Sequence, residues 1–366
     1  MKKKKIVFFI NAITLTRCIK RIEEFVDNGY EIEAYGFERG GEVFVKPSKF
    51  EIKVIGKHDI TQSYLSRLGT IYRSMKPIIK QYKNQDVLFY YFFYDVAFAA
   101  RLISRRPFIY EESDIPYVGI GSSIVRNILG RIDKKMINQS LLTVMTSEGF
   151  INYHFGDYRP NNIIVVPNRV NPRLCEYEYH KQKIDINHLK FAFVGGFRYQ
   201  SVLNFATVIG ESFPQHEFHV YGIVVHKPDK EALGRLMNKY HNIKFHGAFK
   251  NPEELAGIYE NIDVVLATYD ATSINAQYAE PNKLYEAIYF RTPIVVSSNT
   301  FLAKKVKRLG IGYDINGLNK EGIKTFVNQL TLDDLLKKQE ASSNIPKENA
   351  TNFNPELFQF LKNKLN

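Results

Sequence analysis

The segment Glu280–Ile288 contains residues that together could bind an anionic ligand. Pro281 suits the first turn of a helix, which would be anchored by an apolar face made of Leu284, Ala287 and Ile288. Helix N-termini attract anions through their free backbone N–H groups and the helix dipole. Lys283 in the same turn opposes that dipole unless a bound anion offsets it, which favours a phosphate ligand.

Glu286 lies one turn further along the predicted helix. Its carboxylate could accept hydrogen bonds from two neighbouring hydroxyl groups, such as those of a ribose. The alternative is a surface ion pair between Lys283 and Glu286 at helical spacing, which is worth only about 0.2–0.5 kcal/mol. The residues alone support these two interpretations equally.

Glycines follow three predicted strands in the second half of the chain, at Gly195 with Gly196, at Gly222 and at Gly247. Because glycine has no Cβ atom, the backbone at such a position can approach a ligand closely, although each glycine could also be an ordinary turn residue. Arg198 could pair with a diphosphate and stabilise charge on a leaving group, or it could remain solvated in a loop.

Short apolar strand patterns alternate with helical patterns along both halves of the chain, as in parallel sheets covered on both faces. Helical patterns include 16–28, 63–83 and 122–139. The predicted strands are 6–10, 31–37, 50–55, 87–93, 108–110, 142–145 and 163–166 in the first half, and 191–194, 219–221, 243–245, 264–267 and 294–296 in the second. The pattern predicts an α/β protein with two Rossmann-like domains whose parallel sheets face each other across a cleft.

The two domains should meet at the Pro- and Asn-rich segment 167–172, which breaks both periodicities. We therefore predict an N-terminal domain over 1–170 and a C-terminal domain over 171–350. A final helix within 351–366 has an apolar stripe, which we expect to pack back towards the N-terminal domain.

Composition restricts the class of protein. The 366 residues are 45% hydrophobic and 24% charged, which is typical of a globular chain of two domains. Two cysteines cannot build a disulfide framework, so a reducing compartment, the cytoplasm, is expected. The apolar run 6–10 is broken at Asn11, which favours a core strand over a signal peptide, and no transmembrane helix is predicted.

Four segments together resemble the donor domain of GT-B glycosyltransferases of the family 4 type, which include enzymes of bacterial capsule, lipopolysaccharide and exopolysaccharide synthesis. They are 280–296, 193–198, 166–170 and 256–266, and they occur in the order and spacing of that family. The resemblance implies a GT-B fold and transfer of a sugar from a nucleotide-diphosphate donor with retention of configuration. It implies no metal and no cofactor beyond the co-substrate, a UDP- or GDP-sugar.

Carried over residue by residue, the resemblance assigns the ribose to Glu286 and the diphosphate to Arg198 and Lys283, the two candidate catalytic residues of the donor side. The full predicted donor set is Gly195, Gly196, Arg198, Gly222, Glu280, Asn282, Lys283, Leu284 and Glu286. One feature departs from the family pattern, which has a second glutamate, in contact with the sugar, at the position of Tyr278. Glu280 is two residues out of that register, so the residue that binds the sugar is left open.

The first half should bind the acceptor, a saccharide or a polyprenyl-diphosphate-linked saccharide. A carboxylate near the cleft could orient or deprotonate an acceptor hydroxyl, and Asp114 is the candidate chosen here. Other polar residues at predicted strand ends are Asn11, Thr14, Tyr94, Asp95, Glu111 and Glu112. Arg17 on the first helix has two interpretations, one in which it reaches the cleft and one in which it lies on the solvent face of that helix. The sequence has no Asp-x-Asp, no Walker A loop and no complete G-x-G-x-x-G, and its nine histidines lack metal-ligand spacing.

Charge is uneven along the chain, with an excess of nine basic residues in 1–170 and of three in 171–366. The basic helical patterns 63–83 and 122–139 could lie on an anionic membrane surface, or they could face the core with a solvated basic rim.

We expect a cytoplasmic glycosyltransferase of hexosyltransferase type, peripheral on the inner face of the membrane, that does not bind nucleic acid. The alternatives are a nucleotide-sugar epimerase on a related fold and a catalytically silent GT-B binding subunit.

Overall fold

The computed structural model describes residues 4–39, 47, 49–58, 62, 64–224 and 226–365, and the chain divides into two compact units. The first unit consists of Met1–Pro167 together with Asn354–Asn366, and the second consists of Asn168–Phe353. The chain therefore passes between the units inside the Pro- and Asn-rich segment, and its last helix belongs to the first unit.

The first unit contains a seven-stranded parallel sheet in the order β3-β2-β1-β4-β5-β6-β7. Its strands are β1 Lys5–Ile10, β2 Ile32–Arg39, β3 Ile52–His58, β4 Val87–Phe92, β5 Phe108–Glu112, β6 Leu142–Met145 and β7 Ile163–Val165. Its helices are α1 Thr16–Asp27, α2 Tyr64–Gln81, α3 Tyr94–Ile103, α4 Ser123–Gln139, α5 Glu148–Phe155 and, from the end of the chain, α15 Pro355–Leu365. Ser63, the predicted start of the second helix, is outside the described residues.

The second unit contains a six-stranded parallel sheet in the order β10-β9-β8-β11-β12-β13. Its strands are β8 Lys190–Val194, β9 Glu217–Tyr221, β10 Ile243–Gly247, β11 Val264–Ala267, β12 Ile294–Ser297 and β13 Gly312–Ile315. Its helices are α6 Gln200–Ser212, α7 Lys227–Lys239, α8 Leu255–Glu260, α9 Ile274–Tyr278, α10 Asn282–Tyr289, α11 Phe301–Leu309, α12 Lys320–Gln329, α13 Leu332–Ser343 and α14 Lys347–Ala350.

Continuous apolar strands explain why both sheets are parallel and buried. All six residues of β4 are buried, and so are all four of β11, because helices cover both faces. Strand order reverses between β1 and β4 in the first sheet and between β8 and β11 in the second. The carboxyl ends of strands at such switch points are where open α/β sheets bind ligands.

The structure differs from the sequence-based expectations at three places in the second unit. Strand β13 was not predicted, and neither was the short helix α9, which lies between β11 and α10. Pro281 is the N-cap of α10 and not a residue of its first turn, so the helix begins at Asn282. Because the shift is a single residue, Lys283 still lies in the first turn.

The C-terminal helix α15 packs into the core of the first unit. Leu357 and Leu361 are fully buried there, and the Phe358 ring contacts Phe25 of α1 edge-on at 5.1 Å between centroids. The Asn354 side-chain amide donates a 2.6 Å hydrogen bond to Glu24. A terminal helix with an apolar stripe thus completes the hydrophobic layer over the start of the first sheet.

Candidate functional site

The candidate donor site lies in the second unit, at the carboxyl ends of β8 and β11, where its strand order reverses. Helix α10 enters this edge with Leu284 and Ala287 fully buried in the core and Ile288 nearly so. These apolar contacts fix the orientation of the helix. Its N-cap is Pro281, which makes no side-chain capping hydrogen bond, and its first turn has no acidic residue. The helix N-terminus therefore retains N–H groups and positive potential for an anion.

Lys283 is buried, with only 5% of its surface exposed. Its Nζ lies 3.2 Å from the Tyr269 hydroxyl and 4.4 Å from the centroid of the Phe193 ring. Burial lowers the pKa of Lys283, an effect that the nearby Glu286 carboxylate opposes and the Arg198 guanidinium strengthens. The ammonium group is thus held in an apolar, aromatic environment, where an anionic ligand would interact with it strongly.

Arg198 is exposed and is positioned by Tyr199. Its Nε and Nη2 atoms donate to the Tyr199 hydroxyl at 3.1 and 3.0 Å, and the Tyr199 ring packs edge-on against Tyr269 at 4.8 Å. Tyr269 in turn contacts Lys283. The two predicted diphosphate ligands, 85 positions apart in the sequence, are therefore joined through two tyrosines at one sheet edge.

Gly195 and Gly222 shape the backbone beside this pair. A Cβ atom at Gly195 would lie 2.9 Å from Lys283 Nζ, so the missing side chain makes room for the ammonium group. A Cβ atom at Gly222 would lie 2.1 Å from the Gly195 carbonyl oxygen, and Gly222 has φ +128°. Gly195 N–H donates to Tyr221 at 2.7 Å and Gly222 N–H to Gly247 at 2.6 Å, which links three strand ends. Gly196 is exposed next to this contact.

Glu286 is buried and fixed at both carboxylate oxygens. The Tyr259 hydroxyl donates to Oε2 at 2.8 Å, and the Asn282 amide donates to Oε1 at 2.6 Å. The alternative interpretation, a surface ion pair with Lys283, does not describe this arrangement, because both side chains are buried and Glu286 is held by other groups. A carboxylate has about four lone-pair positions, so each oxygen can accept a further hydrogen bond from a ligand hydroxyl.

Glu280 is also buried, at the start of the same segment. Its Oε2 accepts a 2.6 Å hydrogen bond from the Tyr285 hydroxyl and pairs with Lys305 Nζ of α11. Its Oε1 is buried without a hydrogen-bond partner in the part of the chain that the structure describes. Tyr278, which occupies the family position of the sugar-binding glutamate, is half-buried at the end of α9. Of these two residues, Glu280 is the one that offers a fixed carboxylate oxygen.

Several residues of this site were missed by the sequence analysis. Asp270 accepts hydrogen bonds from the backbone N–H groups of Gln200 and Ser201, at 3.0 and 2.9 Å, and so ties the start of α6 to the end of β11. The others are the tyrosines and the lysine that hold the predicted residues in place, namely Tyr199, Tyr259, Tyr269, Tyr285 and Lys305. A single tyrosine or lysine has no spacing signal in a sequence that contains 23 tyrosines and 50 basic residues.

In the first unit the predicted acceptor carboxylates have different environments. Asp114 has 57% of its side chain exposed and lies 3.9 Å from Arg17, whose guanidinium lies over the Phe93 ring. Glu111 is fully buried and accepts hydrogen bonds from Arg21, at 3.1 Å, and from Tyr90. Glu111 therefore belongs to a buried ion-pair network, which removes it from the group of accessible acceptor-side carboxylates.

Glu112 is likewise internal, in a buried cluster with Asp133 and His154. His154 Nε2 lies 2.9 Å from Glu112, and the hydroxyls of Tyr110 and Tyr117 donate to Asp133 at 3.1 and 2.9 Å. Burial raises the pKa of Asp133 well above its usual range, and the charge of Glu112 adds to the effect. Within the described residues this is the group with metal-ligand geometry, and three separate elements contribute to it, so sequence spacing could not reveal it. Its potential ligand atoms are already hydrogen-bonded to one another and to the tyrosines.

No protein-family profile matches the chain. Among curated proteins, it is similar to the succinoglycan biosynthesis protein ExoL of Rhizobium meliloti (strain 1021), with 22% identity over 337 residues, or 85% of this chain and 81% of ExoL. The identity is low, but the likeness extends over both units.

Solved structures resemble the whole chain. Sucrose-phosphate synthase from Thermosynechococcus elongatus superposes with a TM-score of 0.69 at 12% identity, covering 93% of this chain and 94% of that one. Anabaena HepE, solved with UDP and glucose, has a TM-score of 0.67 at 15% identity and covers 97% of this chain and 99% of its own. These likenesses confirm the predicted fold class: the chain has the GT-B fold, with two Rossmann-like units.

Proposed function

We propose that this protein is a glycosyltransferase of hexosyltransferase type that acts in polysaccharide synthesis. It transfers a sugar from a nucleotide-diphosphate donor, a UDP- or GDP-sugar, to a saccharide or polyprenyl-diphosphate-linked acceptor. The observation that carries the proposal is the pair Arg198 and Lys283, joined by Tyr199 and Tyr269 beside the uncapped N-terminus of α10. The similarity to ExoL and the UDP and glucose in the HepE structure support the same choice of donor and pathway.

The proposed chemistry follows from where positive charge is concentrated. When the bond between the sugar C1 atom and the diphosphate breaks, negative charge develops on the leaving diphosphate. The new bond forms from C1 to an acceptor hydroxyl oxygen, and the proton of that hydroxyl passes to an oxygen of the leaving phosphate. Lys283, Arg198 and the α10 N–H groups stabilise that charge, and they do so without a metal. Glu286 accepts hydrogen bonds from the ribose, Glu280 Oε1 accepts one from the sugar, and retention needs no protein nucleophile.

A thermal-shift screen against UDP, GDP, ADP, CMP and their sugar conjugates tests the donor assignment. A ligand that binds only the folded protein stabilises it by about 2.7 kcal/mol at a hundred times its Kd. We expect a uridine or guanosine diphosphate to raise Tm and the other nucleotides to have little effect. If none of them shifts Tm, the donor-site assignment is wrong.

A second measurement separates the proposal from its two alternatives. Release of free nucleotide should require both the donor sugar and an acceptor, supplied as a membrane-lipid extract from a polysaccharide-producing bacterium. An epimerase would convert the sugar without an acceptor, and a silent binding subunit would bind nucleotide without any turnover. The extract pretreated with mild acid, which cleaves sugar diphosphates from lipid, is the control for a lipid-linked acceptor.

Peripheral attachment to the inner face of the cell membrane is the location we propose. Helix α4 of the first unit exposes Ile124, Val125 and Ile128 by 71, 41 and 51%, and Arg131 and Lys135 continue the exposed stripe at helical spacing. Helix α2 differs, because Ile71, Met75 and Ile79 face the core and its basic residues form the rim. Among the described residues, none of the helices has the length and apolar character needed to cross a bilayer.

Replacing Ile124 and Ile128 together by Ser should therefore weaken binding to anionic vesicles. Each buried isoleucine contributes of order 1 kcal/mol or more, so the loss should be about tenfold or greater. Sedimentation with phosphatidylglycerol vesicles at low and high salt measures it, and Leu332→Ser with Leu336→Ser, at exposed positions of α13, is the matched control. Equal binding of the wild-type protein to neutral and anionic vesicles would contradict the proposal.

A further inference from the structure

The carboxyl edge of the first sheet contains a concentration of buried polar atoms without hydrogen-bond partners. Within the described ranges, the atoms at or beside this edge are Asn11 Oδ1, Arg17 Nε, His58 Nδ1, Arg67 Nε, Asp95 Oδ1, Glu111 Oε1 and Ser113 Oγ. Buried polar groups are nearly always paired, so each exception calls for an explanation. Several exceptions at one strand edge are explained together if a polar ligand supplies the missing partners.

Asp95 is central to this group. It lies in the first turn of α3, three residues after β4, and is only 8% exposed. Burial raises the pKa of Asp95, and a hydrogen bond with the Tyr64 side chain and the charges of Arg67 and His58 act in the opposite direction. His58 Nε2 also lies 2.7 Å from the Asn11 carbonyl oxygen, so groups from β1, β3, α2 and α3 converge on one place.

Backbone strain marks the same place. Phe93, between β4 and Asp95, has φ +69° and ψ 154°, which is an uncommon conformation for a residue with a side chain. It is held by a hydrogen bond from its N–H to the Glu111 carbonyl oxygen at 2.9 Å. Strained residues of this kind concentrate at ligand sites, where the surrounding structure over-determines them.

We propose that Asp95 is the acceptor-recognition residue of this protein and that its unpaired oxygen accepts a hydrogen bond from a hydroxyl group of a neutral sugar. The inference rests on the proposed glycosyltransferase function, and it replaces Asp114, which is exposed and close to Arg17. A sugar hydroxyl can donate to a carboxylate and accept from a guanidinium or phenol at the same time. Asp95 beside Arg67 therefore suits a polyhydroxylated ligand better than an anion, which Asp95 would repel.

The test is saturation-transfer NMR with methyl β-glucopyranoside and methyl β-galactopyranoside as probes, in the presence of UDP. At least one probe should bind the wild-type protein, and Asp95→Asn should weaken that binding roughly tenfold or more, as loss of a hydrogen bond to a charged group predicts. Asp157→Asn, at an exposed position of the same unit, is the matched control and should bind as the wild type does. If neither probe binds the wild-type protein, or if Asp95→Asn binds the probe normally, the inference is overturned.

The thermal stability of Asp95→Asn provides a second readout, because a binding role and a purely structural role of Asp95 predict opposite changes in Tm. Because the folded pKa of Asp95 is raised, its carboxylate destabilises the protein at neutral pH, and this cost disappears as pH falls through that pKa. Asp95→Asn should therefore raise Tm at pH 7, by an amount that shrinks towards pH 4. If the Asp95 carboxylate only stabilised the first turn of α3, Asp95→Asn would lower Tm instead. A lower Tm together with unchanged probe binding rejects the proposal. Asp95→Asn should bind UDP as the wild-type protein does. If UDP fails to raise the Tm of the wild-type protein itself, that result contradicts the proposed function and not the role of Asp95 alone.

Discussion

Lys283→Met should abolish most of the stabilisation by UDP while leaving the free protein as stable as the wild type or more stable. Methionine keeps an unbranched side chain of similar length that can still lie against the Phe193 ring. It removes the ammonium group, and with it the charge over that ring and the hydrogen bond to the Tyr269 hydroxyl. In the free protein that charge is buried and its pKa is lowered, so its removal relieves a desolvation cost. In the proposed complex with UDP, that charge would neutralise a diphosphate in an apolar environment, where one such contact contributes about 3–4 kcal/mol.

Calorimetric titration of UDP should therefore show an affinity lower by roughly two orders of magnitude for Lys283→Met. Lys304→Met, at an exposed position of α11, removes a lysine of the same unit and should leave UDP affinity unchanged. Affinity of the wild-type protein should also fall as pH rises through the lowered pKa of Lys283, because the neutral amine binds phosphate poorly. Normal UDP affinity in Lys283→Met would mean that the diphosphate binds elsewhere.

The main features of the fold could be predicted from the sequence because they depend on local patterns. Runs such as Val87–Phe92 are apolar throughout, and buried parallel strands need that property. Strand β13 was missed because Gly312–Ile315 is short, contains Asp314 and has only Ile315 buried. Its place at the sheet edge is decided by pairing with β12, which no local pattern records.

The sequence singled out candidate donor-side residues but could not predict their environment. Lys283 and Glu286 drew attention by their place in one predicted helix and Arg198 by its position after two glycines, while the family resemblance supplied their proposed roles. Their burial depends on long-range contacts, such as those of Tyr269 with Lys283 and of Tyr259 with Glu286, which join different strands and helices. The sequence alone therefore allowed a solvated ion pair, and the structure instead shows two separately held side chains.

The environments of the candidate acceptor-side carboxylates could not be predicted from the sequence, because they are set by burial. Carboxylates follow β4 and β5 closely in the sequence, and nothing local distinguishes them. Glu111 is neutralised by Arg21 from α1, while Asp95 is enclosed by α2 and keeps an unpaired oxygen. The exposed apolar residues of α4 are a similar case, since periodicity cannot tell an apolar face that meets the core from one that meets solvent.

Gly222→Ala should damage the candidate donor site severely. The new Cβ atom would lie 2.1 Å from the Gly195 carbonyl oxygen and 2.7 Å from its carbon, and these are backbone atoms that cannot rotate away. Relief requires the chain after β8 to move, and that chain contains Gly195, which leaves room for Lys283 Nζ. We expect a lower Tm in the free protein and at least a tenfold loss of UDP affinity, because strain at φ +128° adds about 1–3 kcal/mol to the clash.

Gly247→Ala is the control for Gly222→Ala, because it introduces backbone strain at a positive φ without a steric clash. Gly247 ends the neighbouring strand β10 and also has a positive φ, +78°, but a Cβ atom there would have no neighbour within 4 Å. Its substitution should cost about 1 kcal/mol of stability and leave UDP affinity close to that of the wild type. If the two variants lose UDP affinity equally, strain at the strand ends is responsible and the close contact of Gly195 with Gly222 is not what shapes the site. If only Gly222→Ala loses it, the diphosphate site depends on that contact, because the same movement that frees the alanine displaces the backbone next to Lys283.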